Sequence, residues 1–134
     1  RTLGKWKARS AVNDILPFLA HEREPRRIAA ANALRDIGDP SVATRLLPLL
    51  GDPYFTVREV AARALSTMGP DAETALLDAL PTATDPARRH IIRTLGVMGS
   101  ERSRDALASY LEADDPFVRA DAEAAIEALS RTRD

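Results

Sequence analysis

The sequence predicts an all-α protein, a stack of about eight helices in helix-turn-helix units of roughly 31 residues. Three observations carry this reading. Apolar residues make up 45% of the 134 positions and aromatic residues only 4%. That mixture, mostly Ala and Leu, suits close helix–helix packing rather than a sheet, which needs β-branched and aromatic side chains. Next, Leu34, Leu65, Leu95 and Ile126 each stand three residues before Ile37, Met68, Met98 and Leu129, which directly precede Gly38, Gly69, Gly99 and Ser130. The spacings are 31, 30 and 31, and self-similarity at a fixed period marks a repeat architecture. Finally, Arg27, Arg58, Arg88 and Arg119 each lie eleven residues before those Gly or Ser positions.

The elements follow in order. AVNDILPFL (11–19) matches VATRLLPLL (42–50) at a spacing of 31, with Pro17 against Pro48. The chain is therefore expected to open on a second helix over 5–20. A first repeat covers 25–50, its first helix reading IAAANALRDIG with apolar residues at helical spacing. A second repeat covers 53–80. Asp52-Pro53 is expected to open its first helix, since an acceptor side chain followed by a proline suits a helix start. Gly69 is expected to end it, and ETALLDAL (73–80) to return antiparallel. A third repeat covers 86–112, and a last first helix covers 116–131. The series begins and ends in mid-repeat, so one domain over 1–134 is expected, as a piece of a longer array or one with unusual caps. Neither helix of a pair has enough apolar face to stand alone.

Nineteen Lys and Arg against twenty Asp and Glu give a net charge of −1, which exerts no overall pull on nucleic acid or an anionic membrane. The halves differ: residues 1–67 hold eleven basic and seven acidic side chains, residues 68–134 eight and thirteen. There is no cysteine, which excludes a disulfide framework and thiol chemistry and fits a reducing compartment, so a cytoplasmic location is expected. No apolar run approaches the ~20 residues of a membrane span.

VREVAARALSTMG (57–69), preceded by Asp52-Pro53, resembles the first helix of the HEAT-like repeat found in phycobilisome lyases, and VRADAEAAIEALS (118–130) is a second match. The copies at 26–38 and 87–99 depart from it, with Arg26 and Ala87 in the valine slot. The resemblance implies a right-handed αα-superhelix, first helices on its convex side and second helices lining the concave side. It also raises chromophore attachment, although the repeat is shared far more widely than that activity.

Each candidate for chemistry has a simpler structural reading. The four arginines keep register with the helix-ending glycine but not with the helix-opening proline, so Arg27, Arg58, Arg88 and Arg119 are expected to form a structural ladder. They would bond carboxylates or helix-end carbonyls of the neighbouring repeat. His21-Glu22 resembles the pairs with which a HEAT-like di-iron hydroxylase binds iron, but there is one pair only, and His90 is followed by Ile91. No metal or other cofactor is expected. Nucleic-acid binding would call for a basic groove with stacking aromatics. The second helices mix Arg45, Arg102 and Arg104 with Glu73, Asp78, Glu101 and Asp105, and the Lys5, Lys7 and Arg9 cluster around Trp6 is the best local candidate. The serines have no histidine nearby in sequence and the glycines are read as separate helix terminators, so no catalytic residue is assigned.

The expected function is that of a non-catalytic scaffold binding a protein partner on the concave face through Arg45, Glu73, Asp78, Arg104, Asp105 and Tyr110. The alternative is a structural or regulatory module of a larger enzyme or membrane protein.

Overall fold

The computed structural model describes residues 2–132, with side chains described from 9 to 131. Among the described residues there are eight α-helices and no strand. These are α1 (Thr2–Ile15), α2 (Glu24–Ile37), α3 (Ala43–Leu46), α4 (Phe55–Ser66), α5 (Pro70–Ala79), α6 (Ala87–Met98), α7 (Glu101–Leu107) and α8 (Pro116–Thr132). The even-numbered helices pack side by side in one layer, while α3, α5 and α7 form the second. This is the helical-repeat solenoid that the periodicity predicts.

The core lies between the layers. Leu34, Leu65 and Leu95 are fully buried at their repeating position, joined by Leu46, Leu50, Leu76 and Leu107 from the second helices. The valine slot shows why some copies look irregular. Val57 and Val118 are fully buried, whereas Arg26 occupies the equivalent position of α2 and is exposed.

Each second helix ends in a 3-10 turn: Leu16–Ala20, Leu47–Gly51, Leu80–Thr82 and Ala108–Glu112. Three of these begin at a Leu-Pro pair. The proline has no N–H for the α-helical bond and its ring crowds the preceding turn, so the helix tightens there. The segment read as one helix over 42–50 is consequently a 3-10 turn (Pro40–Val42), a single α-turn (α3) and a second 3-10 turn. The last of the four has no proline at all, so the tightening is also a property of the repeat.

The glycines are not uniformly terminators. Gly38 ends α2 with φ 73° and ψ 28°, the left-handed conformation that glycine adopts without strain. Gly96 lies inside α6, where its bare Cα faces Ala125 of α8.

The start of α4 also differs from the expectation. The helix begins at Phe55, and Asp52 closes the preceding 3-10 turn. The acid-proline pairs occupy different positions in the four copies. The arginines lie closer to a common frame. Arg27, Arg58 and Arg119 each donate from Nη1 to the carbonyl six residues earlier, those of His21 (2.7 Å), Asp52 (2.6 Å) and Ala113 (2.6 Å). In each case the acceptor is the residue that follows the 3-10 turn. For Arg88 that residue, Ala83, is only five positions back, and the guanidinium instead makes two 3.1 Å bonds to Asp85.

Candidate functional site

The second-helix layer carries the residues expected to meet a partner, and they divide into three groups. Arg45, Asp78 and Asp105 are exposed, and their side chains have no hydrogen-bond or ion-pair partner among the described residues. Arg104 is half-buried and donates to Ser130 Oγ (3.5 Å) and Glu101 Oε1 (3.4 Å), and Tyr110 is half-buried against the core.

Glu73 corrects the expectation. It is 5% exposed, with its carboxylate turned toward the start of α7. There Oε2 accepts from the Ser100 backbone N–H (2.7 Å), the Ser100 hydroxyl (2.8 Å) and the Ser103 hydroxyl. The physical reason is that the four N–H groups opening a helix have no acceptor within it, and Ser100 supplies no capping oxygen of its own. Arg102, set aside in the sequence as part of a mixed-charge face, completes the cluster through Nη2. It donates to Thr74 Oγ1 at 2.7 Å and more weakly to Glu73 Oε1 at 3.4 Å.

Burial by itself would raise the Glu73 pKa. The bonds from Ser103 and Ser100, with the charge of Arg102, outweigh burial and leave the carboxyl below its ordinary value. A carboxylate whose pKa falls on folding stabilises the native state above its unfolded pKa, about 4.3, and that contribution is lost as pH drops through the lowered folded value. Glu73→Gln is therefore expected to lower stability by about 1.5 kcal/mol at neutral pH. It should also flatten the acid limb of a stability profile below about pH 4.3. Urea titrations at a series of pH values measure both, and an acid limb identical to wild type would refute the assignment.

The first-helix layer holds a feature that the sequence did not reveal. Between α4 and α6 lies a cleft of about 370 Å³. Phe55, Glu59, Ala62, Arg63 and Ser66 line it from α4, and His90, Arg93, Thr94 and Val97 from α6. His90 is 5% exposed at its back. Its Nε2 accepts from Arg58 Nε (3.2 Å), which places the imidazole proton on Nδ1, 3.6 Å from Glu59 Oε2. Burial chiefly, and then the guanidiniums of Arg93, Arg58 and Arg89, outweigh Glu59 and hold the His90 pKa below its usual value, so the ring is neutral at pH 7. Large apolar side chains stand exposed along this layer, Phe55 at 58%, Phe117 at 63% and Val97 at 76%. Arg58 and Arg89 lie over the Phe55 and Phe117 rings, at 5.6 and 5.2 Å. No helical period in the sequence announces this cleft, because it is assembled from two repeats.

The other sequence candidates do not converge. His21 Nδ1 accepts from the Arg23 N–H at 3.0 Å, within its own turn. Among the described residues no group of three or more His, Asp or Glu stands close enough to hold a metal ion, and no helix is long and apolar enough to cross a membrane. The side chains of Lys5, Trp6 and Lys7 lie outside the described residues.

The model of the family described as HEAT repeats matches residues 1–66 and 73–134. No curated protein matches the chain. Among solved structures, the complex of CpcE and CpcF of phycocyanin lyase from Nostoc sp. PCC7120 is similar over 91% of this chain and 79% of that chain, with a TM-score of 0.66 and 20% identity. An engineered protein is similar over 91% of this chain and 63% of its own, with a TM-score of 0.56 and 22% identity. A second engineered protein gives 89%, 37%, 0.50 and 20%. At these identities the likeness is one of fold.

Proposed function

Because the chain belongs to the HEAT-repeat family, whose helix pairs stack into extended surfaces, we propose that it is a non-catalytic scaffold that binds a protein partner through its second-helix layer. The observation that carries this reading is the set of unpaired charges on that layer. The side chains of Arg45, Asp78 and Asp105 are exposed on three successive second helices and are unpaired among the described residues. In the first-helix layer Arg89 and Arg93 share Asp121 and Arg88 holds Asp85, with Arg63 left without a side-chain partner among the described residues. Holding a long charged side chain in one geometry costs entropy, so groups with no partner inside the molecule are free to find one outside it. Arg104 and Tyr110 would border the contact, and Glu73 would support it from beneath by fixing α7. The solved relative is a complex of two different chains, which supports a partner-binding role.

The test is crosslinking to partners in native extract, comparing the wild type with Arg45→Glu, Asp78→Lys and Asp105→Lys. These sites are exposed, so stability should change by no more than about 0.5 kcal/mol. Each reversal is expected to weaken recovery of the same partner about fivefold. Equal recovery by all three variants would refute the second-helix assignment.

A further inference from the structure

We infer that the cleft between α4 and α6 is a separate binding site for an acidic segment of a protein partner, which inserts one apolar side chain and sets a carboxylate beside it. The site is on the opposite layer from Arg45, Asp78 and Asp105 and does not depend on their role.

Size comes first. At about 370 Å³ the cleft is near the lower end of ligand pockets, enough for one aromatic or branched side chain. Its rims are apolar: Phe55 and Val97 leave 58% and 76% of their surface in water, and covering them is favourable. Ala62 leaves space between them. The Thr94 hydroxyl donates to the His90 carbonyl at 2.6 Å, so it is satisfied within its own helix.

Charge selects the rest of the ligand. Arg63 and Arg93 occupy the same position of successive repeats, five residues after Arg58 and Arg88. Arg93 shares one carboxylate, Asp121, with Arg89 (Nε to oxygen 3.3 and 2.7 Å), while the Arg63 side chain has no partner among the described residues. The charged groups lining the cleft are thus Arg63, Arg93 and Glu59, beside the neutral His90, with Arg93 held by Asp121 at the edge. Glu59 stands at the Phe55 end, directed to His90 Nδ1. Glu59 faces His90 and Asp121 is shared by Arg93 and Arg89, which leaves Arg63 as the lining guanidinium with no carboxylate among the described residues. A cationic ligand would meet the guanidiniums; a carboxylate would complete the set. A second hollow of about 310 Å³ between α6 and α8 shares Arg93 and Val97 and adds Ala124, Ala125, Ala128 and the Asp121 carboxylate that Arg93 and Arg89 hold. It extends the apolar surface past the Val97 ridge, which suits a continuing peptide chain.

The experiment is an NMR titration of the intact protein with four probes: acetyl-Glu-Phe-Glu-amide, acetyl-Gln-Phe-Gln-amide, acetyl-Glu-Ala-Glu-amide and 3-phenylpropionate. The first peptide should shift the amides of Ala62, Arg63, Arg93 and Val97 and bind about fivefold more tightly than either other peptide. Arg63→Gln should erase its advantage over the glutamine peptide. Val97→Glu, at an exposed position that leaves the fold intact, should abolish binding. Equal affinity for the glutamine and glutamate peptides would overturn the proposal, as would shifts confined to the second-helix layer. Binding of 3-phenylpropionate as tight as that of the peptide would overturn it too, by making the cleft a site for small free acids.

Discussion

Asp52→Ala is expected to destabilise the protein by about 3 to 4 kcal/mol, measured as the loss of unfolding free energy in urea. Asp52 is 7% exposed and Arg27 9%. They meet through two parallel bonds, Nε to Oδ2 at 2.7 Å and Nη2 to Oδ1 at 3.1 Å. Oδ1 also accepts from the Tyr54 N–H at 3.0 Å. Removing the carboxylate leaves a buried guanidinium with the His21 and Glu22 carbonyls and the Tyr54 ring at 5.8 Å, but with no anion among the described residues. An isolated buried charge costs far more than an exposed pair contributes. The control is Arg27→Met combined with Asp52→Ala, which removes both charges and should recover part of the loss. If the single variant loses less than about 1 kcal/mol, the pair behaves as an ordinary surface contact.

The second large effect is expected at Gly96. A Cβ built there would stand 2.7 Å from Ala125 Cβ and 2.8 Å from Ala125 Cα, well inside van der Waals contact. The obstacle is backbone, which cannot rotate away as a side-chain tip can. Gly96→Ala must push α6 and α8 apart and should cost about 3 kcal/mol, although alanine is intrinsically the better helix former. Thermal unfolding of Gly96→Ala alone and with Ala125→Gly tests the cause. The second substitution removes the Cβ clash but not the one with Cα, so the rescue should be partial. Full stability in the single variant would mean that the two helices do not approach as described.

How much of this was legible in the sequence depends on how far each feature reaches. The Leu34, Leu65 and Leu95 spacing announced the stack because burial repeats with the fold's own period. Gly96 was hidden because its neighbour is 29 positions away in another repeat. Glu73 was misplaced for the same reason. Helical periodicity gives the angle of a side chain around its own helix, not the serines that a neighbouring helix brings to it. Asp52 looked like a helix start because acid-proline pairs commonly are. Its bonds instead belong to Arg27 of the previous repeat and to the Tyr54 N–H. The α4–α6 cleft, which needs Phe55 from one repeat and His90 from the next, had no signal within any single copy.

The contact between Glu73 and the start of α7 bears on the order in which the chain acquires its structure. A seven-residue helix has little tendency to form by itself, because nucleation is unfavourable and few bonds follow it. Here an acceptor for the Ser100 N–H and for the Ser100 and Ser103 hydroxyls is lent by α5, which precedes it in the chain. The second helix of the third repeat is therefore stabilised by the second repeat, and the dependence runs both ways, since Arg102 of α7 donates to Thr74 Oγ1 and to the Pro70 carbonyl of α5. The two helices should therefore order together, each completing the other's bonds.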